Sequence, residues 1–266
     1  MITVTVRTMC ESHHHGHLNR RQLFLGSAAV GAALLASSVT GSVAASVSAE
    51  EVLPGLSILP RIAWGADLPP KGPLVAESPQ FLLVHHTASS NSYASAATVI
   101  RNTYAWQTSP AKGWNDVCYN FFIGRDGDVW EGRAGSLTGP VRADATGGSQ
   151  GFAQLVCMLG DFTSQQPTVA ARASLAKMLA WMSTRYQIDI SAGATTSFIS
   201  RGSQRYAVGT SITAATISGH RDMSYTSCPG DAFYPVISQV RSAAIAQRDA
   251  WVTTIKPARR LGTVAP

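Results

Sequence analysis

The sequence predicts an α/β domain with a central mixed β-sheet flanked by helices. Three observations carry this. Short apolar runs suited to buried strands, such as residues 81–85 and 155–159, alternate with stretches of helical apolar spacing. Asp126-Gly127 lies between two strand-like runs, which marks a hairpin and so an antiparallel pair. Setting aside residues 1–49 leaves roughly 200 residues, enough for one well-buried core and one domain.

Residues 1–49 have the three parts of an export signal. Asn19-Arg20-Arg21-Gln22 precedes a weakly apolar run from Leu23 to about Val39, and Val47-Ser48-Ala49 offers small residues for cleavage before Glu50. The paired arginines resemble a twin-arginine signal, which exports folded proteins. The Gly, Ser and Ala content makes the run a poor permanent span, so no stable membrane segment is expected after cleavage. Residues 50–57 are expected to be a linker, 58–252 the domain, and 253–266 a loose tail.

Within the domain, residues 50–80 are rich in Pro and Gly and are expected to wrap it as a loop. Phe81-Leu82-Leu83-Val84-His85 is a buried strand. Ala97, Ile100 and Tyr104 predict a helix that Ser109-Pro110 stops. The runs 119–123 and 129–131 form the hairpin. Residues 134–150 are a Gly- and Ala-rich surface loop, and 155–159 another buried strand. From Pro167, the spacing of Leu175, Leu179, Met182 and Tyr186 predicts a long amphipathic helix. Residues 189–213 are polar and expected to be irregular, 215–217 a short strand, and 232–252 a last helix.

Composition narrows the function. Only 14% of residues are charged and the net charge is +6. The leader's Arg7, Arg20 and Arg21, against Glu11, carry part of that excess. A mildly basic balance without a Lys/Arg run suits an anionic wall polymer and does not suggest a nucleic-acid groove. Four cysteines occur in the chain, and three follow the leader: Cys118, Cys157 and Cys228. Cys118 and Cys157 are either a bridge between neighbouring strands or two buried thiols.

Chemistry is concentrated in two places. Beyond the leader the only histidines are His85, His86 and His220. The first two are adjacent at the end of a strand, and Gly219-His220-Arg221-Asp222 is followed by Cys228-Pro229-Gly230. Two imidazoles and one thiolate suit a single Zn2+ with a fourth position open to water, which points to hydrolysis. Neighbours on an extended segment face opposite ways, so His85 and His86 are not both expected on one ion. Spacing alone does not choose between them. A closed, structural site would need a fourth ligand from Asp222, Cys118 or Cys157.

Six segments in order complete a pattern: Arg61-Ile62-Ala63-Trp64-Gly65-Ala66, Val84-His85-His86-Thr87-Ala88, Gly113-Trp114-Asn115-Asp116 running to Tyr119-Asn120-Phe121, Glu131-Gly132-Arg133, Leu159-Gly160-Asp161-Phe162, and Gly219-His220-Arg221-Asp222 with Cys228-Pro229-Gly230. Together they resemble the peptidoglycan recognition protein family, the type 2 N-acetylmuramoyl-L-alanine amidase domain. The leader is similar to that of actinobacterial secreted members. The resemblance implies a zinc amidase of the cell wall that cuts between N-acetylmuramic acid and L-alanine. A noncatalytic muropeptide-binding module is the alternative.

It further implies His85, His220 and Cys228 as zinc ligands and Tyr119 as a catalytic residue. Thr226, two before the cysteine ligand, would act as a lesser catalytic hydroxyl. His86, Trp114 and Arg133 would contact substrate. Trp114 stands where relatives select meso-diaminopimelate stems, and Arg133 could grip a stem carboxylate. The expected partner is peptidoglycan or its muropeptides, met by a secreted, wall-associated monomer. The chain departs from the family near the groove. Residues 139–146 lack a histidine common in relatives, Trp106-Gln107 replaces another, and Cys157 stands where a small apolar residue is usual.

Overall fold

Residues 47–145 and 152–258 are described by the computed structural model. Gly55, at φ +74°, turns the chain between β1 (Glu50–Leu53) and β2 (Leu56–Ile58), an antiparallel pair. The expected 50–57 linker is therefore a hairpin. Leu56 and Ile58 are buried in the main core while Ser57 between them is exposed. Two apolar residues at period 2 are too short a signal to stand out among Pro and Gly. A short helical turn, α1 (Ile62–Gly65), also interrupts the expected loop.

β3 (Phe81–His86) follows, then α2 (Ala96–Gln107), which begins where the Ser95 hydroxyl accepts a hydrogen bond from Thr98 N. β4 (Phe121–Ile123) and β5 (Val129–Glu131) form the hairpin that Asp126-Gly127 predicts, with Gly127 at φ +86°. β6 (Ala153–Met158) is next. α3 (Val169–Tyr186) starts at Thr168, whose hydroxyl accepts from Ala171 N.

β7 (Thr195–Ile199) and β8 (Ser211–Ala215) pair antiparallel, which corrects the irregular segment expected over 189–213. Their inward residues, Phe198, Ile212 and Ala214, alternate with exposed Ser197, Ile199, Ser211, Thr213 and Ala215. So sparse an apolar pattern reads as loop until its partner strand is known. β9 (Ile217–Gly219) and α4 (Ile237–Ala258) complete the domain. α4 begins later and runs further than the expected 232–252, into the segment expected as a tail. The rest of that tail, 259–266, and the leader up to residue 46 lie outside the described residues. Among the described residues no helix is long and apolar enough to cross a membrane.

The main sheet has the order β5-β4-β6-β3-β9. β4, β6, β3 and β9 are parallel and β5 is antiparallel, so the sheet is mixed. Leu82 and Val84 pack on the face covered by α3 and α4. Phe81 and Leu83 point to the other face, beneath β7 and β8. On that second face Phe122 and Cys157 pack under α2 through Ile100 and Tyr104. The C-terminal ends of β3 and β9 lead to the candidate site, through His85 and His220. Crevices at the C-terminal ends of parallel strands are where α/β folds bind ligands.

Candidate metal centre

His85 is the fifth residue of β3, on the face it shares with Phe81 and Leu83. His220 opens the 3₁₀ turn directly after β9. Cys228 returns from the loop beyond it. The three offer ligand atoms that all lie within 4.8 Å of one another, and all three residues are buried. Cys228 Sγ is 3.7 Å from His85 Nδ1, and the two imidazole rings are 4.5 Å apart.

Local structure fixes each candidate ligand. Arg221 N donates to Cys228 O at 3.0 Å, and His86 N points at Cys228 Sγ at 3.4 Å. A backbone N–H aimed at sulfur favours the thiolate that a metal needs. Gly230 sits at φ +109°, and a Cβ there would come 2.3 Å from the Phe162 backbone. The Cys-Pro-Gly segment therefore requires its glycine to close against residue 162.

The donor set fits zinc. His85 Nε2 is buried without a hydrogen-bond partner, a costly state for an imidazole unless a ligand takes part. Burial pushes the His85 pKa well below its ordinary value, helped by His220, so the ring is neutral and competent to ligate. Asp222 is not a fourth ligand: Oδ2 accepts from Gly219 N and Oδ1 from the Tyr234 hydroxyl. Cys118 and Cys157 are free, buried thiols outside the group, so they form no bridge with each other. Three protein donors among the described residues match an open rather than a closed zinc site.

Tyr119 borders the cluster, its ring 5.1 Å from that of His85. Burial holds its phenol pKa well above the ordinary value, and the neighbouring thiols of Cys118, Cys157 and Cys228 add to this. The phenol therefore carries its proton in this setting. Two residues for which no structural role was expected hold this segment. Gln107 grips Cys118 from both sides: Oε1 accepts from Cys118 N at 2.8 Å and Nε2 donates to Sγ at 2.9 Å. Asp116, 1% exposed, accepts from Arg61 Nη2 at 2.8 Å and from Val117 N and Ala134 N. Asp116→Ala strands the buried Arg61 guanidinium. It is expected to cost about 3–5 kcal/mol in denaturant unfolding, and a loss below 1 kcal/mol would contradict this role.

The other expected site residues are placed unevenly. His86 does not join the cluster. Its ring lies on the α3/α4 face, where Nδ1 accepts from Phe162 N at 3.2 Å. Alternation along β3 sends it there, so its contribution to the site is the backbone N–H on Cys228. Thr226 Oγ1 accepts from Cys228 N at 3.2 Å and so shapes the ligand loop. Trp114 is half-buried and packs with Tyr119 against the cluster around Phe81 and Leu83. Arg133 is buried, and its guanidinium already holds Asp144.

The family model described as N-acetylmuramoyl-L-alanine amidase matches residues 76–231, which span His85, His220 and Cys228. The chain belongs to this family. Among the similar proteins, the N-acetylmuramoyl-L-alanine amidase of Homo sapiens is 29% identical over 188 residues, 68% of this chain and 28% of that protein. Peptidoglycan-recognition protein SC2 of Drosophila melanogaster is 27% identical over 178 residues, 66% of this chain and 82% of its own length. Two solved structures share the fold. Drosophila peptidoglycan recognition protein SD matches with TM-score 0.53 at 23% identity, covering 69% of this chain and 94% of that one. Drosophila PGRP-LB matches with TM-score 0.52 at 22% identity, covering 68% and 92%. The expected peptidoglycan recognition and type 2 amidase fold is thus met by a family member.

Proposed function

We propose that this family member is a zinc-dependent N-acetylmuramoyl-L-alanine amidase acting on peptidoglycan, with stem peptides of the diaminopimelate type. The observation that carries this is the buried His85–His220–Cys228 group with Tyr119 against it. A structural zinc site would have no use for an open position beside a phenol that stays protonated.

The reaction adds water across the amide between the lactyl group of N-acetylmuramic acid and L-alanine. The carbonyl carbon keeps the water oxygen as a carboxylate, and the nitrogen leaves as the protonated amine of L-alanine. Zinc, when bound by His85, His220 and Cys228, supplies Lewis-acid polarisation and a more acidic water. The chain's own groups do the rest. The His86 N–H stabilises the charge on the Cys228 sulfur. The Tyr119 hydroxyl donates a hydrogen bond to the carbonyl oxygen as negative charge develops there. The Thr226 hydroxyl, fixed by Cys228 N, keeps its own proton free to act as a second, weaker donor. Trp114 offers an apolar wall to the stem peptide. The leader would carry the folded, metal-loaded domain out of the cell through its Arg20-Arg21 pair.

A defined muropeptide incubated with the zinc-loaded protein is expected to release its free stem peptide, detected by mass. A chelator is expected to stop the release. Binding without release by the metal-loaded protein would instead make this a recognition module.

A further inference from the structure

A cavity of about 430 Å³ lies between α2 and the loop that follows β3. Thr87, two residues beyond His85, and Ser89 line it from the loop. Thr98, Asn102 and Trp106 line it from α2. These three stand at i, i+4 and i+8, so they form one row about 12 Å long on the helix. All three are exposed. No described residue forms a hydrogen bond with the Thr98 hydroxyl, the Asn102 amide or the Trp106 indole N–H. None of the described side chains that line the cavity carries a charge. An exposed helix face usually includes charged residues. This row has none over two turns, and it ends in an indole that is 50% exposed. Lys112 Nζ lies 5.1 Å from the Trp106 ring centroid and helps to hold the ring, which still meets solvent.

An ion entering this cavity would lose water against side chains that carry no charge. A sugar ring has the matching surface. Its apolar C–H face suits the indole, and its rim of hydroxyl and N-acetyl groups suits the Thr98 hydroxyl and the Asn102 amide. The row is longer than one sugar ring. The chemistry proposed above also brings sugar close. The carbonyl to be attacked belongs to the lactyl group, a few bonds from the muramic acid ring. With that carbonyl at His85, His220 and Cys228, the neighbouring sugars of the strand pass along the walls beside it. Thr87 connects this cavity to the segment that carries His85. We propose that the cavity is a glycan subsite, in which Thr98, Asn102 and Trp106 hold an N-acetylated sugar next to the muramic acid in the same strand. The proposal rests on the amidase function above and narrows its substrate: the chain reads the glycan as well as the stem peptide.

The test compares two synthetic substrates with the same stem of L-alanine, D-glutamate and diaminopimelate. One carries it on N-acetylmuramic acid alone. The other carries it on a trisaccharide in which that sugar lies between two N-acetylglucosamines. kcat/KM is measured on the full, zinc-loaded chain. The trisaccharide is expected to be favoured at least about tenfold, through KM with kcat little changed, since an apolar face covered by an indole is worth about that much. Trp106→Ala is expected to remove most of the advantage and Asn102→Ala part of it. Both side chains are exposed, so neither change is expected to unfold the domain. The trimer of N-acetylglucosamine, which has no peptide, is expected to bind in calorimetry, and at least about tenfold more weakly to Trp106→Ala. Equal kcat/KM for the two substrates, or no binding of the peptide-free trimer, overturns the proposal. So does an advantage that survives Trp106→Ala. A loss of affinity for the sugar-free tripeptide in that variant also overturns it, because the cavity would then hold peptide. Binding of the trimer through Trp106, without product from either substrate, would sustain this inference and sink the amidase function. Product without a sugar preference would do the reverse.

Discussion

Cys228→Ala is expected to lose zinc and turnover together. Cys228 supplies the only sulfur in the three-donor group, and its loop is shaped around that role. His86 N is aimed at the sulfur, Thr226 holds Cys228 N, and Gly230 allows the close approach to Phe162. Removing a partner that merely orients a ligand costs about 10–100-fold in metal affinity. Removal of a ligand is therefore expected to exceed about 100-fold, and activity at limiting zinc is expected to fall with it. The change deletes one buried atom, so the thermal midpoint of the metal-free protein should move little. Metal analysis after dialysis, beside turnover, checks this. A variant that keeps one zinc per chain and full activity would remove Cys228 from the ligand set.

Tyr119→Phe is expected to separate metal binding from catalysis. The phenyl ring keeps the contacts of the tyrosine ring with His85 and Phe122, at 5.1 and 5.5 Å between centroids. Only the hydroxyl is lost. If that hydroxyl donates to the developing oxyanion, kcat falls by about 10²–10³ while zinc content and KM stay close to those of the parent. Full activity in Tyr119→Phe would mean that the phenol does not touch the reacting carbonyl. A fall in zinc content would mean that its role is to build the metal site.

The candidate metal centre was legible in the sequence because histidine and cysteine are scarce and gather at the end of β3 and in the segment after β9. Period-2 geometry correctly separated His85 from His86, and the structure shows the consequence: one ring faces Cys228 and the other Phe162. The hairpin at Asp126-Gly127 and the two long helices were legible for the same reason, as strong local signals.

What escaped was non-local. Asp116 matters through Arg61, 55 residues away, and Asp144 through Arg133. A lone aspartate carries no sign of its partner. Gln107 stood out only as a departure from the family pattern, and its grip on Cys118 became visible once α2 was docked on the sheet. β7 and β8 were missed because each buries only one or two apolar side chains, so pairing rather than pattern identifies them. The 50–57 hairpin was hidden by the prolines and glycines around it.

The central claim is an open zinc site with exactly two nitrogen donors and one sulfur donor from the protein, since those are the groups that His85, His220 and Cys228 bring together. X-ray absorption at the zinc edge of the metal-loaded protein measures that shell directly. The account predicts one sulfur near ~2.3 Å, two imidazole nitrogens near ~2.0–2.1 Å and one light oxygen donor. A second sulfur in the shell would contradict it, because Cys118 or Cys157 would then close the site and leave no position for substrate.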